Sequence, residues 1–305
     1  MANPMRSTDF KQVVEPILNT VFDGVYDQRA PEYTLLFEEK DGIKRAYQED
    51  VVLRGMPLAQ EIPDGRPVPY ESGGVHYVTR YPYKVYGMAF AITRILVEDG
   101  DHIRVASTFS EHMAQSLIET RETKAANVFN NAFSASYLGG DQVALCATTH
   151  PIFGSANGSN RLSSDAALSQ TSLEQMLIQI RQAVDDAGKK IRVAGKKLVV
   201  HPANMFQAQV LLKTTQRAGT ANNDINPILT SAALEKEPVV LSRLTSSTAW
   251  FIKTDAPMGL RLLWRRRLDK AMEGDFETDS MRYKATERYG IGWTNWRTTY
   301  GTPGL

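Results

Sequence analysis

Cys146 and His150 are the pair in this sequence best placed for covalent chemistry, because a thiolate and an imidazole are the parts of a nucleophilic dyad. They lie four residues apart in a segment that ends at Pro151, so nothing makes them face each other. A single cysteine is commonly a small buried hydrophobe, and packing is the expected role of Cys146. His102, His112, His150 and His201 are dispersed, and two of them precede proline, which gives no metal-ligand spacing. Asp269, Glu273, Asp275, Glu277 and Asp279 form an acidic, turn-rich run without the glycine-anchored spacing of a calcium loop. Arg265-Arg266-Arg267 resembles a nucleic-acid patch, yet strand alternation sends Arg266 to the face opposite Arg265 and Arg267. Solvated strand charges or ion pairs between subunits are the expected use of these arginines. The sequence holds no dinucleotide fingerprint, phosphate-cradling loop, zinc-binding helix or nucleophile elbow. No catalytic residue, cofactor site or metal site is expected, and the chain reads as something other than an enzyme.

Composition narrows the class. With 305 residues, 42% hydrophobic and 23% charged, the chain has enough apolar material for one large core or two modest ones. Its formal net charge of +1 provides no global field toward nucleic acid or membrane. One cysteine excludes an internal disulfide, which fits a reducing compartment. The N-terminus lacks a signal-peptide pattern, and no apolar run reaches membrane-spanning length, so cytoplasmic synthesis and no membrane partner are expected.

The elements follow from periodicity. Val13, Val14, Ile17, Leu18, Val21 and Phe22 suit a short amphipathic helix in an N-terminal arm, followed by an extended stretch over residues 33–37. Residues 51–55 and 77–92 read as strands flanking a polar, proline-rich middle, 60–74, too poor in large apolar residues to form a core. That middle should project. Thr108-Phe109-Ser110-Glu111 reads as a capping box opening a long helix. Its core stripe is Met113, Leu117, Ala125, Val128, Phe129, Ala132 and Phe133, with Glu119, Arg121, Glu122 and Lys124 on the wet face and a stop at Gly139-Gly140.

Residues 148–164 are loop by composition. A second box, Thr171-Ser172-Leu173-Glu174, opens a helix that buries Met176, Leu177, Ile180 and Val184 and stops at Gly188. A buried strand at 197–200 precedes a helix over 203–213. Strands follow at 239–241, 249–253, 259–268 and 281–296, the last two long and aromatic.

A projecting hairpin and an arm bury little within their own subunit, so the entropy of ordering them must be offset by contacts elsewhere. Repeated contacts among identical copies provide such a surface. The order of segments, arm, hairpin, long helix, α/β body and aromatic terminal strands, resembles the tailed-phage major capsid fold, the Hong Kong phage fold that encapsulin compartments also use. More narrowly it resembles the Mu-type major head subunit family. The residues that carry this are Ala147-Thr148-Thr149-His150-Pro151, Leu198-Val199-Val200-His201-Pro202, Phe276-Glu277-Thr278-Asp279, Tyr289-Gly290-Ile291-Gly292-Trp293 and Trp296-Arg297.

The resemblance implies an α+β fold with an arm (1–43), an extended loop (44–93) and a peripheral domain (94–188) whose spine helix spans 108–137. An axial α/β domain (189–254) and returning strands of the peripheral domain (255–305) complete it. It implies self-assembly into pentamers and hexamers of an icosahedral shell in the virion, around double-stranded DNA that the shell contacts without sequence preference. A portal, a scaffolding protein and a decoration protein are the further partners it implies. No long charged helical segment precedes the arm, so scaffolding is expected from a separate protein or from a segment cleaved away. Arg66, Tyr70, Arg80, Lys84, Arg265 and Arg267 are the candidate inter-subunit contacts. An encapsulin-like shell, or an enzyme using Cys146 and His150, are the alternatives.

Overall fold

The computed structural model describes residues 7–28, 30–42, 44–71, 73–93, 102–153, 157–216, 224–275 and 280–305. Its frame is a matched pair of long elements. Helix α2 (His102–Asn130) has 29 residues, about 44 Å at the α-helical rise. Strands β8 (Leu260–Asp275) and β9 (Ser280–Trp293) form an antiparallel hairpin of roughly the same length. The sheet order is β1-β8-β9-β4, with β1 (Glu38–Lys40) parallel to β8 and β4 (Lys84–Thr93) antiparallel to β9.

Helix α1 (Ser7–Tyr26) lies against α2 and buries Val14, Leu18 and Phe22, one residue per turn. Each fully buried side chain of this kind contributes about 1.5–3 kcal/mol. These residues share a cluster with Met113 and Leu117 of α2 and with Met272 and Tyr283 of the sheet. A second cluster, around Phe129, Phe251, Trp264, Tyr289 and Trp293, joins the other end of α2 to β7 (Trp250–Thr254). Phe129 meets Phe251 edge-on at 5.2 Å, a favoured aromatic geometry.

The α/β part has its own sheet, in which β5 (Gly195–Val200) lies between β6 (Val239–Val240), parallel to it, and β7, antiparallel, with β10 (Thr299–Thr302) on the far side of β7. Helices α3 (Gln170–Arg181) and α4 (Met205–Lys213) cover it, burying Met176, Ile180, Leu211 and Leu212 against Leu198, Val200 and Trp250. A one-turn helix, α5 (Pro227–Thr230), follows α4. His201 caps the turn after β5, its Nδ1 accepting from the Ala203 amide at 3.0 Å.

Several expectations need correction. The long helix does not begin at Thr108: its hydroxyl donates to the Arg104 carbonyl, bonding back within a helix already under way. The helix ends at Asn130, before the Gly139-Gly140 pair, although Ala132 stays buried. Arg121 and Glu122 are buried, because elements pack on more than one side of α2. The second capping box is Ser169 with Ser172, two residues earlier than Thr171 with Glu174, and α3 stops at Arg181 well before Gly188. Val184 is only half-buried. Residues 32–35 form a 3-10 turn that buries Tyr33, and only Glu38–Lys40 is strand. The terminal strand β10 (Thr299–Thr302) pairs with β7 and so belongs to the α/β sheet, whereas β8 and β9 return to the first sheet. The Phe276-Glu277-Thr278-Asp279 motif lies outside the described residues.

Candidate assembly interface

The hairpin of β2 (Tyr47–Leu53) and β3 (Val75–Pro82) is a separate two-stranded sheet, anchored to the body at its root. At the root, Asp50 is buried and accepts from Arg261 and from the Thr294 hydroxyl, the latter at 2.9 Å. Tyr77 donates to the Thr294 carbonyl at 3.1 Å, and the Tyr81 and Thr294 hydroxyls bond each other. Gly140 lets the hairpin approach, since a Cβ there would fall 2.2 Å from Thr79 Oγ1. A buried carboxylate with a cation and hydroxyl donors holds its geometry well, and here it sets the direction in which the hairpin leaves the body.

Between Leu53 and Val75 the described residues have no regular structure. Its apolar side chains face solvent: Leu53 is 67% exposed, Leu58 73% and Tyr70 99%, with Met56, Ile62 and Val68 also exposed. The segment is therefore less polar than its composition suggested. A row of uncovered apolar groups on one strap marks an interaction surface. The ends of the strap are close, because the Arg54 amide donates to the Gly74 carbonyl at 2.8 Å.

A half-open groove of about 600 Å³ runs between the hairpin root, the C-terminal half of α2 and the end of β9. Tyr86, Tyr137, Leu138 and Ile291 line it, and Lys84 and Lys124 stand exposed in its lining without an ion pair among the described residues. Lys124 lies 5.9 Å from the Tyr86 ring centroid, a distance at which ammonium and ring attract. Burial raises the Tyr86 and Tyr137 phenols above their ordinary range, so both remain neutral hydrogen-bonding groups at the groove.

The six residues expected at subunit contacts divide. Arg66 and Tyr70 sit on the exposed strap and Lys84 at the groove. Arg80 is tied across the hairpin to Glu49 at 2.7 Å and lies 4.2 Å from the Tyr47 ring centroid. Arg267 pairs within the chain with Asp41 at 2.7 Å and Glu39 at 3.0 Å, and Arg265 donates to the Arg45 carbonyl. Register shifts on either side of Arg266 break the simple alternation expected there, and Arg266 turns to Asp269 and Thr286. The last two candidates are thus already engaged in holding β1 and its flank to β8. Lys124 and Tyr137 were missed, since nothing in their local sequence distinguishes them from ordinary helix and loop residues.

Cys146 and His150 do not form a dyad. The Cys146 thiol is fully buried in the aromatic cluster, and burial pushes it well above its ordinary range, so it stays protonated. The His150 nitrogens face Asp141 Oδ2 at 2.6 Å and Asn160 Oδ1 at 3.1 Å, and its ring stacks on Trp296 at 4.3 Å. Asn160 donates in turn to the Leu145, Trp296 and Thr299 carbonyls, knotting the loop after α2 to the C-terminal segment. Native protein should therefore leave Cys146 unmodified by iodoacetamide over a period in which the urea-unfolded chain reacts fully. Mass spectrometry showing a native adduct would mean that the thiol is reachable.

Residues 78–301 match the family model described as phage capsid protein. No curated protein sequence matches the chain. The fold is similar to the capsid structure of cyanophage P-SCSP1u, with a TM-score of 0.57 and 11% identity, covering 87% of this chain and 85% of that one. It is similar to the capsid of a native GTA particle, with a TM-score of 0.56 and 12% identity, covering 89% of each chain. A virus-like particle from Pyrococcus furiosus is similar at a TM-score of 0.52 and 12% identity, covering 94% of this chain and 98% of that one.

Proposed function

We propose, from the premise that the chain belongs to the phage capsid protein family, that it is the major head subunit of a tailed phage of the Mu type and closes its shell by laying each strap on a neighbouring copy. Membership of that family makes the role structural and places the protein in the virion. The observation that carries the strap mechanism is the pairing of an exposed apolar strap with an aromatic and cationic groove on the same chain. Strap residues 55–74 carry Glu61, Asp64 and Glu71 against Arg66 alone, a net charge of −2, opposite in sign to Lys84 and Lys124. Four prolines, Pro57, Pro63, Pro67 and Pro69, stiffen it and reduce the ordering entropy that docking must offset. Arg66 and Tyr70 travel with the strap as contact residues.

In this reading residues 44–93 are the extended loop and α2 is the spine of a peripheral domain that β8 and β9 complete. Residues 189–254 are the axial domain meeting its copies at five-fold and six-fold centres. Pentamers and hexamers then form the icosahedral shell around packaged double-stranded DNA, with a scaffolding protein, a portal and a decoration protein as partners, after synthesis in the host cytoplasm. The Mu-type assignment is supported by the ordered set of motifs in the sequence, from Ala147-Thr148-Thr149-His150-Pro151 to Trp296-Arg297. Negative-stain microscopy of the purified protein, alone and with its scaffold, should show capsomer rings or closed shells. A monomer at high concentration under both conditions would overturn the proposal.

A further inference from the structure

A second half-open cavity, of about 500 Å³, opens on the α/β part, away from the groove, between the end of α3, the approach to β5 and the turn after α5. Arg181, Arg192 and Lys196 line it. Arg181 ends helix α3, and Arg192 is exposed on the approach to β5. Lys196 is placed by a bulge: Gly195 faces Thr254 and Lys197 faces Lys253, which leaves Lys196 as the unpaired extra residue. Bulges re-aim a side chain off the ladder, and this one sends Lys196 to the cavity.

The three cations stand out by lacking carboxylates. Lys189, Lys197 and Lys213 nearby pair with Asp185, Glu235 and Glu237 at 3.5, 3.7 and 2.6 Å. Arg181, Arg192 and Lys196 make no ion pair among the described residues. Of the two carboxylates in the lining, Glu235 pairs with Lys197, and Asp255 accepts from the Ala194 amide at 2.8 Å and keeps its charge, which leaves three cations against one carboxylate. Gathering three unpaired cations around one concavity costs mutual repulsion, which an entering anion relieves. Two guanidinium forks and a point ammonium match phosphate oxygens in geometry as well as charge.

We infer that this cavity binds phosphate groups, presented either along a nucleic-acid backbone or by a free oligophosphate. The site is independent of the strap and groove, so its test does not depend on shell closure.

The experiment uses the full chain, with a fluorescent 20-base-pair duplex and inorganic triphosphate as probes, each titrated at several salt concentrations. Compared are wild type, Arg192→Gln/Lys196→Gln, and the charge-matched control Lys40→Gln/Lys284→Gln, whose exposed lysines lie elsewhere. For the duplex, the cavity variant should lose about tenfold in affinity at low salt, with a log–log salt slope shallower by about two. The control should keep the wild-type slope. A cavity-variant loss for the duplex alone identifies backbone phosphate as the ligand, a loss for triphosphate alone identifies a free oligophosphate, and a loss for both establishes the shared chemistry. Unchanged binding of both probes, or equal loss in the control, overturns the inference. Circular dichroism and Arg192→Lys/Lys196→Arg, which should retain binding, separate a site effect from a folding defect.

Discussion

Replacing residues 55–73 with a two-residue Asn-Gly turn should leave a folded subunit that forms no closed shells. Folding survives because none of the described residues in this segment belongs to a buried cluster. The Arg54–Gly74 backbone bond already brings the cut ends to hairpin distance, where Asn-Gly closes a tight turn. What is lost toward the body is small: the Met56 carbonyl accepts from Lys189 at 3.3 Å, and Gly55 packs on Asp185 and Ala187. Surface contacts of that kind are worth about 0–1 kcal/mol. What is lost toward a neighbour is the whole apolar strap. Thermal unfolding within a few degrees of wild type, together with microscopy showing only free capsomers, is the expected pair of results. Closed shells at wild-type yield would sink the strap mechanism, and loss of the folded state would show that the segment packs on its own subunit.

The second large effect lies in the body. Arg121 of α2 is buried, donates to the Tyr26 hydroxyl at 2.5 Å and lies 3.5 Å from Glu287 of β9, to which Tyr26 also donates. Its guanidinium is also 5.0, 5.4 and 5.6 Å from the Tyr26, Trp264 and Tyr33 ring centroids. Three elements, α1, α2 and β9, therefore converge on one cation. Arg121→Ala should lower the unfolding free energy by about 3–5 kcal/mol, because Glu287 remains buried without its counter-charge. Urea unfolding of the unassembled subunit measures it.

The pH dependence has a definite sign. Burial pushes the Glu287 carboxyl above its ordinary range, a push larger than the opposing pull of Arg121. A carboxyl raised in the folded state favours folding most below its unfolded pKa, about 4.3, and that contribution fades as pH rises through the folded value. Removing Arg121 raises the folded value further, so the variant should recover part of its loss on acidification toward that range. Arg121→Ala/Glu287→Gln should be more stable at neutral pH than Arg121→Ala. Strictly additive losses in the two single variants would show that the charges are not coupled.

Much of this arrangement is legible in the chain. The apolar stripe Met113, Leu117, Ala125, Val128 and Phe129 marks the long helix, and the buried strand before His201-Pro202 marks the α/β sheet. Periodicity fails where polar residues are covered. It assigns Arg121 and Glu122 to solvent because it sees one apolar stripe and not the neighbours supplied by Tyr26, Glu32 and Glu287. A capping box is equally local, and Thr108 satisfies its pattern while bonding back within an established helix. The strap is recognisable as coreless, but the groove is not, since Lys84, Lys124, Tyr137 and Ile291 come from four separate segments. Arg267 likewise finds Glu39 and Asp41 more than two hundred residues away, a pairing set by the parallel ladder of β1 on β8.

That ladder has a consequence for synthesis. The sheet that supports α1 and α2 takes β1 and β4 from the first third of the chain and β8 and β9 from its last sixth, with all of the α/β part but β10 between them. Pairings so distant in sequence are slow to close, and a chain emerging from the ribosome cannot make them until β9 is out. The groove, one wall of which is the end of β9, is then missing from every nascent chain. In the proposed strap mechanism its geometry acts as a timer: a growing chain offers its strap but cannot receive one, so neighbouring nascent chains on one message do not lock together before release.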